Sequence, residues 1–103
     1  MFSVCGSLQA MTTSPSYKAL ERIVRGFSCH RRIQFLQVLE QSQRPLSLSQ
    51  IAATCRAGIK PVSEHVRRMH QAGLVSKKNR GREVMHELTQ LGENVFAFLA
   101  TLE

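Results

Sequence analysis

Tryptophan is absent from this 103-residue chain, no two glycines are adjacent, and the cysteines form no Cys-x-x-Cys pair. Without glycine clusters there is no P-loop and no dinucleotide-binding fingerprint, and no nucleophile elbow occurs either. The few carboxylates stand singly among basic residues, so no paired acid and base are available and no enzyme activity is expected. No His-x-x-x-His or paired-cysteine motif offers metal ligands, and neither a metal nor another cofactor is expected. Cys5, Cys29 and Cys55 are odd in number and widely spaced, which is no disulfide framework and suits a reducing compartment. No apolar run approaches the roughly 18 residues of a transmembrane helix. The first ten residues lack a charged n-region and a long apolar stretch, so no signal peptide is read, and the expected location is the cytoplasm.

What is present is a globular composition, 43% hydrophobic, with a formal net charge of +7. The length fits one domain, read as residues 14–103 behind a mobile leader over 1–13. The charge is unevenly spread. Between Arg56 and Arg82 lie eight bases and one acid, Glu64, whereas the rest of the chain holds six bases and six acids. Positive charge concentrated in this way is the footprint of a polyanion binder; its bland alternative is a solvated basic face.

In chain order, Ser14-Pro15 reads as a cap and first helical position. Leu20, Ile23, Val24 and Phe27 then form one apolar helix face. After a break at Gly26, Ser28 is placed to cap a second helix carrying Ile33, Phe35, Leu36, Val38 and Leu39, a stripe wide enough for the centre of the core. Arg44-Pro45 ends it near Ser42. Leu46-Ser47-Leu48 reads as a short extended piece, and Ser49 as the cap of a third helix that turns Ile51, Ala52 and Cys55 inward.

The next helix, with Pro61 in its first turn, separates into two faces when laid out at about 100° per residue. Val62, Val66 and Met69 form the back, and Gly73 is the stop. Lys60, Glu64, Arg67, Arg68 and Gln71 form the front, with Ser63 beside them. Lys and Arg suit phosphates or the guanine edge, and Gln suits adenine. Two strands follow, Leu74–Lys78 and Glu83–Leu88, joined by Asn79-Arg80-Gly81-Arg82, where Asn and Gly tolerate positive φ. Beside the preceding helix this basic hairpin reads as a wing, with Lys77, Lys78, Arg80 and Arg82 meeting phosphate or the minor groove. Thr89 caps a last helix whose apolar positions include Leu91, Val95, Phe96, Phe98, Leu99 and Leu102. So apolar a terminal helix requires a partner surface, either the first helix of the same chain or a second copy. The second is the reading taken here, with Leu20, Ile23, Val24, Phe27, Val95, Phe98, Leu99 and Leu102 at a dimer interface.

These segments resemble a known family. Arg32-Ile33-Gln34-Phe35-Leu36-Gln37-Val38-Leu39 is similar to the second-helix signature of ArsR-type winged-helix repressors. Pro45 to Ala52, Val62-Ser63-Glu64-His65-Val66, Ala72-Gly73-Leu74-Val75 and Gly81-Arg82 follow the same pattern. Leu88-Thr89-Gln90-Leu91-Gly92 resembles a junction shared with MarR-type regulators. The resemblance implies a mainly α fold with a small β-hairpin wing, ordered α-α-(short β)-α-α-β-β-α. It also implies a homodimeric, sequence-specific reader of double-stranded DNA that regulates transcription, as a repressor. Two departures stand out. Where many relatives have Leu-Gly-Leu-Ser, this chain has Cys55-Arg56-Ala57-Gly58, which leaves Gly58 or Lys60 as the helix cap. Metal-responsive relatives use a cysteine pair in the third helix or His and carboxylates on the last, and this chain has neither.

His65 sits about 60° off the buried face of its helix and reads as a packing residue. Cys29, in the first turn after Ser28 and near His30, Arg31 and Arg32, admits a redox role, against which stands an inert thiol. Two other functions remain open from sequence: a winged helix that grips protein, and a basic module that binds RNA or DNA without sequence preference.

Overall fold

The computed structural model describes residues 16–103; the leader and Ser14-Pro15 lie outside them, and the cap of the first described helix is Ser16 and not Ser14, its hydroxyl accepting from Ala19 N at 3.2 Å. Among the described residues five helices and three short strands follow in the expected order: α1 Tyr17–Phe27, α2 His30–Ser42, β1 Leu46–Ser47, α3 Leu48–Cys55, α4 Ile59–Gln71, β2 Val75–Arg80, β3 Glu83–Leu88 and α5 Gln90–Ala100. The strands form one antiparallel sheet in the order β1-β3-β2. No helix among the described residues is long and apolar enough to cross a membrane.

The core forms where the apolar stripes of α2, α3 and α4 meet the start of the hairpin. Phe35, Leu36, Ile51, Val62, Val66, Met69, Leu74 and Val75 are all but removed from solvent, each large side chain adding about 1.5–3 kcal/mol over exposure. Cys55 and Ala52 complete this contact, their small size letting α3 and α4 approach.

Four further local expectations are corrected. The chain does not break at Gly26, which lies inside α1 and is buried against α4; a Cβ there would collide with that of Ala72. Ser28 does not cap α2: it donates to the carbonyl of Arg25, and Cys29 takes the cap position with no side-chain cap bond. The cap of α3 is Ser47 and not Ser49. The Ser47 hydroxyl accepts from Gln50 N at 3.2 Å, while Gln50 Oε1 accepts from Ser47 N at 2.9 Å, a reciprocal pair that outcompetes a single cap. The hairpin turn is shorter than expected. Arg80 pairs with Glu83 and Asn79 with Val84, so only Gly81-Arg82 lie outside the ladder. Gly81 takes φ +65° and Arg82 does not share it, the pattern of a type II′ turn.

The junctions around α4 hold it in place. Arg56 caps the end of α3 in the left-handed region, φ 54°, at a cost of about 1–2 kcal/mol. Gly58 takes the cap of α4, as one of the two expected choices. At the other end Gly73, φ +84°, and Leu74 donate to His70 O and Met69 O, closing a Schellman motif. Thr89 then ties α5 to the same spot, donating through its hydroxyl to Gly73 O at 2.6 Å and accepting from Gly92 N at 3.0 Å. Gly92 is required there, because a Cβ would strike the carbonyl oxygen of Leu74.

Candidate nucleic-acid interface

α4 is anchored by its back and bare in front. Val62, Val66 and Met69 are buried, whereas Lys60, Pro61, Ser63, Glu64, Arg67, Arg68 and Gln71 are all exposed. Their spacing follows from helical periodicity, so one ridge of polar and basic side chains runs the length of the helix. Within it Glu64 holds two arginines at once. Arg67 Nε lies 3.3 Å from Glu64 Oε1 and Arg68 Nε 3.2 Å from Oε2. The hydrogen bond from Arg67, followed by the charges of Arg67 and Arg68, keeps the Glu64 carboxyl below its ordinary range.

The hairpin projects beside this ridge with Lys77, Lys78, Arg80 and Arg82 exposed. They do not form a single surface. Strand alternation puts Lys78 and Arg80 on one face and Lys77 on the other, and Lys78 is partnered by Glu87 at 2.9 Å. Arg82 stands in the turn itself.

The histidines serve packing and hydrogen bonding. His65 meets the ring of Phe35 edge-on, with centroids 5.9 Å apart. Burial first, then Arg32, Arg31 and Arg68, push its pKa below the ordinary value. His86 is buried at the centre of the sheet and its Nδ1 lies 3.1 Å from Leu46 O, which makes Nδ1 the protonated nitrogen. Burial is the main reason its pKa is low, and Lys77 and His70 add to it against the Leu46 bond. His70 Nδ1 lies 2.9 Å from Val75 O. No group of three or more metal-ligating side chains gathers among the described residues. Burial raises the Cys55 thiol, which fits a core position. At Cys29 desolvation is outweighed by the N–H groups of Arg31 and Arg32 and by the Arg32 side chain, and the thiol is lowered.

The eight residues read as a dimer interface divide into two sets. Ile23, Phe27, Val95 and Leu99 pack at the margin of the core. Leu20, Val24, Phe98 and Leu102 remain 45, 50, 58 and 63% exposed. α5 rests on α2 and β3, and α1 on α4 and α2, so the main contacts of the terminal helix are not with α1. Charge counting along the chain overlooks one feature. Arg22, Arg25 and Arg32, which balance acids in the sequence sum, gather in space beside Arg68. Their signal in sequence is the placing of Arg22 and Arg25 four and one positions before Gly26.

A helix with a packed back and a basic front, reached through a short turn and flanked by a basic hairpin, defines a winged helix-turn-helix. The winged helix DNA-binding domain family matches residues 30–92, and the chain belongs to it. Solved structures agree in fold. The homodimeric winged helix-turn-helix domain of Mb0332 from Mycobacterium bovis, a possible ArsR-family transcriptional regulator, superposes with a TM-score of 0.75 at 18% identity, covering 84% of this chain and 79% of that one. HlyU from Vibrio cholerae gives 0.72 at 18% identity over 84% and 92% of the two chains. An ArsR-like transcriptional regulator from Rhodococcus sp. RHA1 gives 0.67 at 22% identity over 81% and 76%. No curated protein sequence matches the chain. The winged-helix fold that the resemblance implied is thus observed.

Proposed function

We propose that this protein is a cytoplasmic, homodimeric transcription regulator that reads double-stranded DNA in a sequence-specific way and acts as a repressor. The observation that carries the reading is the front of α4. Its side chains spend no energy on the core, while the back of the same helix is fixed by Val62, Val66 and Met69. That is the arrangement for inserting a rigid helix into the major groove, with Lys60, Ser63, Glu64, Arg67, Arg68 and Gln71 towards bases and adjacent phosphates. Lys77, Lys78, Arg80 and Arg82 would add backbone contacts from the wing. The homodimeric Mycobacterium bovis relative supports the two-fold form.

The test is selection of genomic fragments by the full chain, followed by titration of the selected duplex at several salt concentrations. Expected is a steep loss of affinity with salt, each phosphate contact contributing about 0.9 to the log–log slope, and poor competition by random duplex or structured RNA. A flat salt response overturns the DNA reading. Equal competition by random duplex leaves a non-specific binder, and retention of function after neutralising Arg67 and Arg68 points to a protein-gripping module.

A further inference from the structure

α1 and α4 cross at two small residues, Gly26 and Ala72, so closely that no Cβ fits on Gly26. The side chains four and one positions before each contact point then open to the same side: Arg22 and Arg25 from α1, Arg68 and Gln71 from α4. Arg32, from the first turn of α2, closes the third side. They surround a cleft of about 160 Å³, lined by four arginines and one glutamine around Gly26 and Ala72, and by no acidic residue. A single water needs only about 10–15 Å³.

Such a gathering of like charge is unfavourable unless something neutralises it. Arg25 and Arg68 each have an acid nearby, Glu21 at 3.0 Å and Glu64 at 3.2 Å, in exposed pairs that contribute little. Arg22 and Arg32 have no acidic partner among the described residues. Arg32 Nε is moreover shut off from solvent without a hydrogen-bond partner. Guanidinium groups present planar forks of donors that match oxyanions two bonds at a time, and forks arriving from three helices suit a tetrahedral group better than a planar one.

We propose that this cleft is a phosphate site. It would take one phosphate group, supplied either by a DNA backbone flanking the groove that α4 enters or by a free phosphorylated small molecule. In the first case it rests on the DNA reading above and extends the footprint to α1 and α2; in the second it stands apart from it. Arg68 and Gln71 belong both to the cleft and to the front of α4, so an occupant of one is felt by the other.

The probe is inorganic phosphate, titrated into the full chain while the arginine Nε–H resonances are followed, with sodium chloride at matched ionic strength as reference. Saturable shifts with phosphate and none with chloride are expected. Arg22→Gln with Arg32→Gln is expected to weaken phosphate at least tenfold, and Arg44→Gln, at the far end of α2, to leave it unchanged. Should the double variant lose its cooperative melt, Arg22→Gln alone, on the exposed side of α1, serves in its place. Equal response to chloride, or phosphate binding indifferent to Arg22 and Arg32, overturns the proposal. Displacement of phosphate by saturating duplex identifies the DNA backbone as the source; retention beside bound duplex identifies the free anion. A chain that binds no duplex refutes the DNA reading, yet the phosphate titration is still decisive for the cleft.

Discussion

At the scale of single residues, His86 on β3 is tied to the neighbouring strand β1 through its Nδ1–H bond to Leu46 O, and it makes that bond uncharged. Burial lowers its pKa beneath the ordinary 6.5, and His65 is shifted the same way. Protons therefore bind the unfolded chain more readily than the folded one at mildly acid pH. The stability these two histidines contribute is complete above about 6.5 and is lost progressively as pH falls through the depressed folded values. Thermal melts at pH steps from neutral downwards are expected to show a falling midpoint, and the fall should be shallower in His65→Gln. His86→Gln is expected to lose about 1–3 kcal/mol at neutral pH by leaving a buried carbonyl without its donor. A midpoint that does not move between neutral and mildly acid pH in the wild type would refute the assignment of neutral, buried histidines.

At the scale of elements, α4 holds a restraint on its own front. Glu64 engages Arg67 and Arg68 at i+3 and i+4, pairs that are exposed and weak as stabilisers. They nevertheless occupy the two guanidinium groups that would reach DNA. Replacing Glu64 with Gln is expected to tighten binding to random duplex and to steepen the salt slope by up to about 0.9, while narrowing the gap between selected and random sequence. Anisotropy titrations at three salt concentrations read both quantities, and weaker binding to random duplex would show that Glu64 is not a restraint. The two faces of α4 are visible in the sequence because 3.6-residue periodicity is strong where a helix has one wet and one dry side. The caps are harder, since several serines compete for each start. The deciding signal for α3 is Ser47-x-x-Gln50, a capping box, which outweighs the single hydroxyl of Ser49. Gly26 misleads for a different reason. A glycine that permits a helix crossing looks in sequence like one that ends a helix, and only its contact with Ala72, forty-six positions away, tells them apart. The arginine cleft depends on that crossing, so it is invisible to any count of charge along the chain.

At the scale of the whole molecule, charge is sorted along α2. Arg31 and Arg32 stand at its N-terminal end, while Glu40 near its other end joins Glu87, Glu93 and Arg44 around a separate cleft of about 330 Å³. Bases at the start of a helix and an acid towards its end oppose the helix dipole, so the arrangement is not there for the stability of α2. It leaves bases gathered where α1, α2 and α4 meet and acids around the second cleft, whose Glu87 also pairs with Lys78 of the wing. Ile33, Ile59 and Val84 are exposed on α2, α4 and β3, but most of the exposed apolar side chains are on the outer helices: Tyr17, Leu20 and Val24 on α1, Phe98 on α5 and Leu102 just past its end. A two-fold axis through these helices would cover them and leave both α4 fronts free. A stable pairing of this kind needs roughly 1,200–2,000 Å² of buried surface, and two bound α4 helices would then stand about 34 Å apart, one turn of DNA. Val24→Glu combined with Phe98→Glu puts charge on both outer helices without touching the core, so each chain should still melt cooperatively. Light scattering is expected to give twice the chain mass for the wild type and the single-chain mass for the variant. With the two readers no longer linked, affinity for a site holding two half-sites is expected to fall by about 10²–10⁴, while affinity for one half-site is nearly unchanged. A wild-type mass of one chain, or a monomeric variant that binds the full site as tightly as the wild type, would remove the two-fold reader and leave α4 and its wing to act alone.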